Sequence, residues 1–323
     1  MKCKNEQKNL QKFPENLLTP QNLIVKYFTN KFFERSKMDG FRTADDIAAV
    51  KELLGISSDE FAKKMGVSRV TLSNWLSGKS EISEINTTAF YDFAFNAGIR
   101  LNKIKEQLYK EELSEKGHTA LFHGSKNGIE GKIELARSKK SNDFGVGFYC
   151  GESLEQSAMF VAGFPNSSLY IFDFDTKGLK RRVFGVSNEW MLVIAYFRNR
   201  LGAFASSKII KSLLDSIRDA DYIVAPIADN RMFEIIDSFI DGEITDQQCQ
   251  HSLSATNLGN QYVLVSEKAL KHLSVLEKCF LAQPEKEFYL DSRKESVAIN
   301  LDKVRMARRQ YRGKGKYIEE LLK

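Results

Sequence analysis

His123 and Tyr149 are the residues whose types and setting most invite chemistry. His123 closes a short apolar run (Leu121, Phe122) and is followed by Gly124 and Ser125. Tyr149 comes later, inside Asp143-Phe144-Gly145-Val146-Gly147-Phe148-Tyr149-Cys150. A histidine at one strand end and a glycine-flanked aromatic on the next make an arrangement for gripping a flat, polar ligand, one side chain offering hydrogen bonds and the other a stacking face. Ser153 and Gln156 then open a helix in a capping-box pattern.

Holding such a pair requires strands, and from residue 118 the pattern supplies them. Short β-rich runs fall at 119–123, 147–150, 169–174, 222–225, 261–265 and 275–282, with helices expected between them at about 153–162, 188–202, 206–218, 230–240, 246–254 and 266–273. This is mixed α+β and not a regular βαβ repeat. Gly145-Val146-Gly147 lacks the third glycine of a dinucleotide-binding turn, and no Gly-x4-Gly-Lys-Ser/Thr occurs, so Rossmann and P-loop readings fail. His118, His251 and His272 have no metal-ligand spacing and read as structural, so no metal is expected. Trp190 reads as core.

At 323 residues the chain has room for two domains. Its four cysteines, Cys3, Cys150, Cys249 and Cys279, form no Cys-x-x-Cys pair, which fits free, mostly buried thiols in a reducing cytoplasm. No apolar run approaches the roughly 20 residues that span a bilayer. The basic start, Met1-Lys2-Cys3-Lys4, leads into no apolar segment of a secretory signal, and the expected address is cytoplasmic. The net charge of +6 gathers at the ends: residues 1–40 hold eight Lys/Arg against four Asp/Glu, and residues 301–323 hold eight against three. Basic ends on a near-neutral body fit contact with a polyanion such as nucleic acid, or simply keep the protein soluble.

Upstream of the strands, Ile47, Val50, Leu53 and Leu54 fall at helical spacing and Gly55 ends that helix. Ser57 with Glu60 caps a second helix through Phe61, Ala62 and Met65; Gly66 turns, and Ser68 caps a third, from Arg69 to about Ser77. The run from Leu54 to Lys79, with Ala62, Gly66 and Gly78-Lys79 in place, resembles the Cro/phage-repressor helix-turn-helix family. The resemblance implies that Ser68, Arg69, Val70, Thr71 and Asn74 face DNA, with Arg69 suited to guanine and Asn74 to adenine, over a buried face of Leu72, Trp75 and Leu76. Residues 43–80 carry almost no net charge, which weakens the phosphate contribution and leaves a protein-binding role open. One more helical stretch, Phe90 to Leu108, completes this part.

His123-Gly124-Ser125, then Asp143-Phe144-Gly145-x-Gly147-Phe148-Tyr149 and a helix, resembles the front half of an ADP-ribosyltransferase fold, and more narrowly a bacterial His…Tyr…Gln family of such domains of largely unassigned function. Asn188-Glu189-Trp190, Asp221-Tyr222-Ile223-Val224 and Gln261-Tyr262-Val263-Leu264 extend the likeness over about residues 119–280. The resemblance implies a split antiparallel sheet that binds NAD as co-substrate. His123 would hold the adenine-side ribose, with Gly124, Ser125, Phe144, Gly145 and Gly147 around the dinucleotide, and Tyr149 would stack on nicotinamide. Its third motif usually supplies a glutamate; this chain has Gln261, which can orient a hydroxyl but cannot act as a general base. Glu189, Asp229 and Glu267 are the acids that such chemistry would otherwise draw on.

The expected organisation is therefore an N-terminal extension (1–40, with an amphipathic helix from Leu23 to Phe33), an all-helical helix-turn-helix domain (41–112), an α+β ADP-ribosyltransferase-like domain (118–283) and a basic helical tail (284–323). Two functions follow. One is a transferase moving ADP-ribose from NAD to a protein or nucleic acid, as a toxin or phage-defence effector with DNA, an antitoxin or a second copy as partner. The other is a helix-turn-helix transcriptional regulator whose second domain binds NAD, a related nucleotide or a partner without catalysis.

Overall fold

The computed structural model describes residues 40–228, 230–255 and 259–322. The expected helix from Leu23 to Phe33 lies outside them, as do Cys3 and Asp229.

Among the described residues five helices come first: α1 (Thr43–Leu53), α2 (Ser58–Lys64), α3 (Arg69–Leu76), α4 (Glu84–Asn96) and α5 (Leu101–Glu115). Ser57 Oγ accepts from Glu60 N (3.2 Å) and Ser68 Oγ from Thr71 N (3.0 Å), so the serines that mark helix starts in the sequence do cap them. Ile47, Val50, Phe61, Leu72, Trp75 and Phe90 close the core of this part. The stretch from Phe90 to Leu108 is two helices, not one. Gly98, at φ +86°, takes a backbone conformation that ends α4 and lets the chain turn into α5.

A seven-stranded sheet follows, built from β1 (Thr119–Ser125), β2 (Phe148–Gly151), β3 (Ser168–Phe174), β4 (Arg181–Val183), β5 (Tyr222–Pro226), β6 (Asn260–Leu264) and β7 (Leu273–Phe280) in the order β4-β5-β6-β2-β1-β3-β7. All pairings are antiparallel except β4 with β5. The short edge strand β4 is not among the expected strands: Arg181 and Val183 are exposed and give no apolar pattern. Between the strands lie α6 (Leu154–Val161), α7 (Asn188–Phe197), α8 (Lys208–Arg218), α9 (Asn230–Ile240), α10 (Asp246–Ser254) and α11 (Glu267–Lys271); α12 (Gln283–Gln310) and α13 (Ile318–Leu322) end the chain.

The sheet is nearly two sheets. β1 pairs with β3 from Thr119↔Phe174 to Ser125↔Ser168, but its ladder with β2 is the single pair Phe122↔Gly151. The packing divides at the same line. On one face, Phe122, Ile171 and Cys279 pack with α5, α6 and α12, while Ile223, Ala225 and Val263 pack with α7 to α10. The opposite face buries Leu121, Cys150, Tyr170, Phe172 and Leu264 together.

The basic C-terminal segment packs on the body of the sheet domain. Gln248 Nε2 donates to Arg308 O (3.0 Å), His251 stacks on Tyr311 at 3.5 Å, and Ile318 and Leu322 enter the core beside Trp190. Arg305, Arg309, Arg312 and Lys314 remain on its exposed side. The helical part packs on the sheet as well. Tyr91 stacks on Phe280 at 4.6 Å, and Asn102 Nδ2 donates to Phe280 O (2.8 Å) across the boundary.

Candidate functional site

His123 stands where β1 and β2 part. Its Nδ1 donates to Tyr149 O (2.7 Å), a bond from side chain to strand beside the point where the ladder stops, and its ring stacks on Phe148 at 4.7 Å. Burial holds the imidazole below its ordinary pKa, so the ring is neutral near pH ~7. A carbonyl can only accept, which puts the proton on Nδ1 and leaves Nε2 a lone-pair acceptor. Among the described residues no donor reaches Nε2.

Tyr149 and Gln261 share the other face. Side chains alternate along a strand, and Gly151 is the registered partner of Gln261, so Tyr149, Gly151 and Gln261 point the same way, while Phe148 and His123 lie across the strand. The Tyr149 ring is half-buried. Its hydroxyl donates to Gly145 O (2.8 Å) and accepts from Phe144 N (3.1 Å), which folds the glycine loop back onto its own strand. Burial raises the phenol well above its ordinary range, so it stays protonated.

Gln261 is buried, and its partners decide what it can offer. Nε2 donates to Asp143 Oδ2 (3.0 Å) and to Pro226 O (3.1 Å). Asp143 is in turn gripped by Arg198, through Nε (3.0 Å) and Nη2. In the sequence Asp143 is legible only as part of a turn motif; nothing there pairs it with residues 198 and 261. Of the acids named as substitutes for a glutamate, Asp229 lies outside the described residues and the other two are engaged or placed elsewhere. Glu189 is salt-bridged to Arg182 (2.7 Å), and Glu267 is exposed beyond the far end of β6. Glu152 is near the start of β6, but its two oxygens take Asn260 N (2.9 Å) and Nδ2 (3.0 Å).

The remaining expected ligand residues are largely architectural. A Cβ on Gly124 would lie 2.4 Å from Ser157 O and 2.9 Å from Val161 Cγ2, so its missing side chain is used by α6 and does not open the backbone to a ligand on that side. Gly145 and Gly147 meet Phe197 and Val263 in the same way, at 2.7 Å each. Phe144 is a core residue against Phe184, and Ser125 Oγ donates to Gly128 O (2.7 Å) in the next turn. His118, His251 and His272 take Asp173, the Tyr311 ring and Asp175 O respectively, and Trp190 is fully buried.

In the helical part, Arg69 and Val70 project from the first turn of α3, Val70 with 69% of its surface exposed. Ser68 and Thr71 spend hydroxyl capacity on each other (2.8 Å) at the helix cap. Asn74 is half-buried one turn on, and Leu76, expected inside with Leu72 and Trp75, is also half-buried. Arg69 reaches Asp59 at 3.3 Å, an exposed pair of little worth.

Residues 119–275 match DUF3990, a family described as protein of unknown function. Residues 47–86 match the helix-turn-helix family. No curated protein and no solved structure matches the chain. The protein thus joins a helix-turn-helix domain, of a type that binds DNA, to a DUF3990 domain. No helix among the described residues is long and apolar enough to cross a membrane.

Proposed function

We propose that the DUF3990 domain binds NAD and transfers its ADP-ribose to a macromolecule, protein or nucleic acid, as a bacterial toxin or phage-defence effector whose helix-turn-helix domain engages DNA. One observation carries the reading: the half-exposed Tyr149 ring shares its face with Gln261, whose Oε1 is uncommitted, while His123 presents an uncommitted Nε2 across the strand, beside the line where the sheet parts. An aromatic face together with neutral acceptors suits a ligand that carries hydroxyl donors and a flat cationic ring, and NAD carries both.

In the reaction the bond between the nicotinamide nitrogen and ribose C1′ breaks and nicotinamide leaves with the electron pair. The acceptor nucleophile forms its bond to the same carbon and gives up its proton to water. Positive charge grows on the ribose as the bond loosens, and the Tyr149 face and Gln261 Oε1 are the electron-rich groups available to oppose it. Gln261 takes no proton, so the acceptor must be reactive without a base from this position. His123 holds a ribose hydroxyl and thereby orients the dinucleotide.

The amide at position 261 also favours a second reading, a regulator that binds NAD without cleaving it. Incubation of the full chain with NAD labelled on its adenylate, alone and with lysate protein, RNA or DNA, separates the two. Transfer of label, lost in Tyr149→Ala, supports the transferase. Saturable NAD binding with no nicotinamide release supports the regulator. Absence of both binding and release overturns the NAD site.

A further inference from the structure

Asp143 is a buried carboxylate with no part in the transfer just described, and its contacts define position 261. Arg198 donates to its Oδ1, and its Oδ2 takes Gln261 Nε2 at 3.0 Å, while Pro226 O takes the same nitrogen at 3.1 Å. Arg198 is itself fixed, donating Nη2 to Ala228 O (3.2 Å) and lying over the Phe233 ring at 4.1 Å. A carbonyl and an arginine-paired carboxylate oxygen are both acceptors, so the amide has one orientation: both N–H groups face inward and Oε1 is left over.

We propose that Asp143 is a positioning residue which, held by Arg198, turns Gln261 into a pure hydroxyl acceptor, and that position 261 is built for an amide and against a carboxylate. A glutamate here would set an oxygen against Asp143 Oδ2 and Pro226 O with no proton between them. It is tolerated only protonated or rotated out of the site, each of which removes the acceptor from where Gln261 presents it. Replacing glutamine with the acid is therefore a loss, even though an acid offers a base. The identity of the bound hydroxyl rests on the NAD reading; the preference for an amide does not.

The test uses the full chain with Gln261→Glu, Asp143→Asn and the double variant, followed by thermal melting and by nicotinamide release. Gln261→Glu melts below wild type, with the deficit larger at about pH 8 than at about pH 5, because the penalty falls on the ionised acid. Its turnover drops about tenfold or more. The double variant recovers part of both losses, since an amide at position 143 can donate where the carboxylate could not. A Gln261→Glu protein that is as stable as wild type at both pH values, or more active, overturns the proposal. If wild type neither binds NAD nor releases nicotinamide, the NAD reading falls while the melting comparison still judges the amide. If Gln261→Glu fails to fold, side-chain amide exchange in ¹⁵N-glutamine-labelled wild type decides: slow exchange at Gln261 relative to exposed Gln247 supports the proposal, and equal exchange refutes it.

Discussion

Lys105 of the helical part lies against Glu277 of the sheet, and neither side chain is more than 1% exposed. The same ammonium reaches Asp46 Oδ2 at 2.7 Å, Tyr109 OH donates to Glu277 Oε2 (2.8 Å) and Tyr91 OH to Asp46 Oδ2 (2.6 Å). Burial works against the lysine charge, but Asp46 and Glu277 override it and hold Lys105 above the ordinary lysine range. Burial also pushes the Asp46 carboxyl up to about 6 against the pull of Lys105. One cation thus serves an acid from each side of the domain boundary. Lys105→Met leaves two facing carboxyls without it, at a cost of about 3–5 kcal/mol. Chemical denaturation followed by helix and sheet signals should show both parts unfolding together and earlier. Two separate transitions, with the sheet's unmoved, would contradict this.

Glu285, at the start of α12, is buried with its Oε2 on Asn102 Nδ2 (2.9 Å), and burial pushes its carboxyl up to about 7. A carboxyl raised in the fold holds its proton more tightly there than in the unfolded chain. Stability is therefore lost as pH rises from the unfolded value, about 4.3, towards the folded one, and then levels off. Glu285→Gln removes that loss. It should be more stable than wild type by about 2–4 kcal/mol at about pH 8 and equal to it below about pH 4. Melting curves across the range check both limits.

Gly124→Ala tests whether the glycine after His123 serves packing. The added carbon meets the Ser157 carbonyl, which is backbone and cannot swing aside. The expected destabilisation is about 1–3 kcal/mol. Trimming Val161 to alanine should not restore it, since the closer contact remains. Unchanged melting of Gly124→Ala would mean that β1 and α6 separate more easily than their packing implies.

On the DNA side, Arg69 has, among the described residues, only the exposed Asp59 to compete for it. Arg69→Ala should weaken binding to a specific site by about tenfold or more while changing non-specific binding less. Fluorescence anisotropy on the DNA upstream of the protein's own coding region, at two salt concentrations, measures both. Equal affinity of the variant would move recognition away from α3.

The helix-turn-helix pair and most strands are legible in the sequence because they rest on local signals: capping serines before apolar periodicity, and short β-rich runs between turns. The break at Gly98 is hidden because apolar residues continue on both sides of it. The C-terminal segment reads as a basic helical tail because its arginines are conspicuous, whereas Ile318 and Leu322, which seat it in the core, are two residues without pattern. At the site, His123, Tyr149 and Gln261 can each be singled out by type and setting. What they can donate or accept cannot. That depends on Asp143 meeting a residue 118 positions away, and on the space at Gly124, Gly145 and Gly147 being filled by neighbours, and neither fact has a local signature.

Nicotinamide release from NAD by the full chain, compared with Tyr149→Phe and Tyr149→Ala, tests the central claim most directly. Wild type should release nicotinamide. Tyr149→Phe keeps the ring and loses only the loop bonds, so its rate should fall severalfold, whereas Tyr149→Ala should fall by about a hundredfold or more. A wild-type protein that neither binds NAD nor releases nicotinamide, or a Tyr149→Ala variant as active as wild type, would contradict the account.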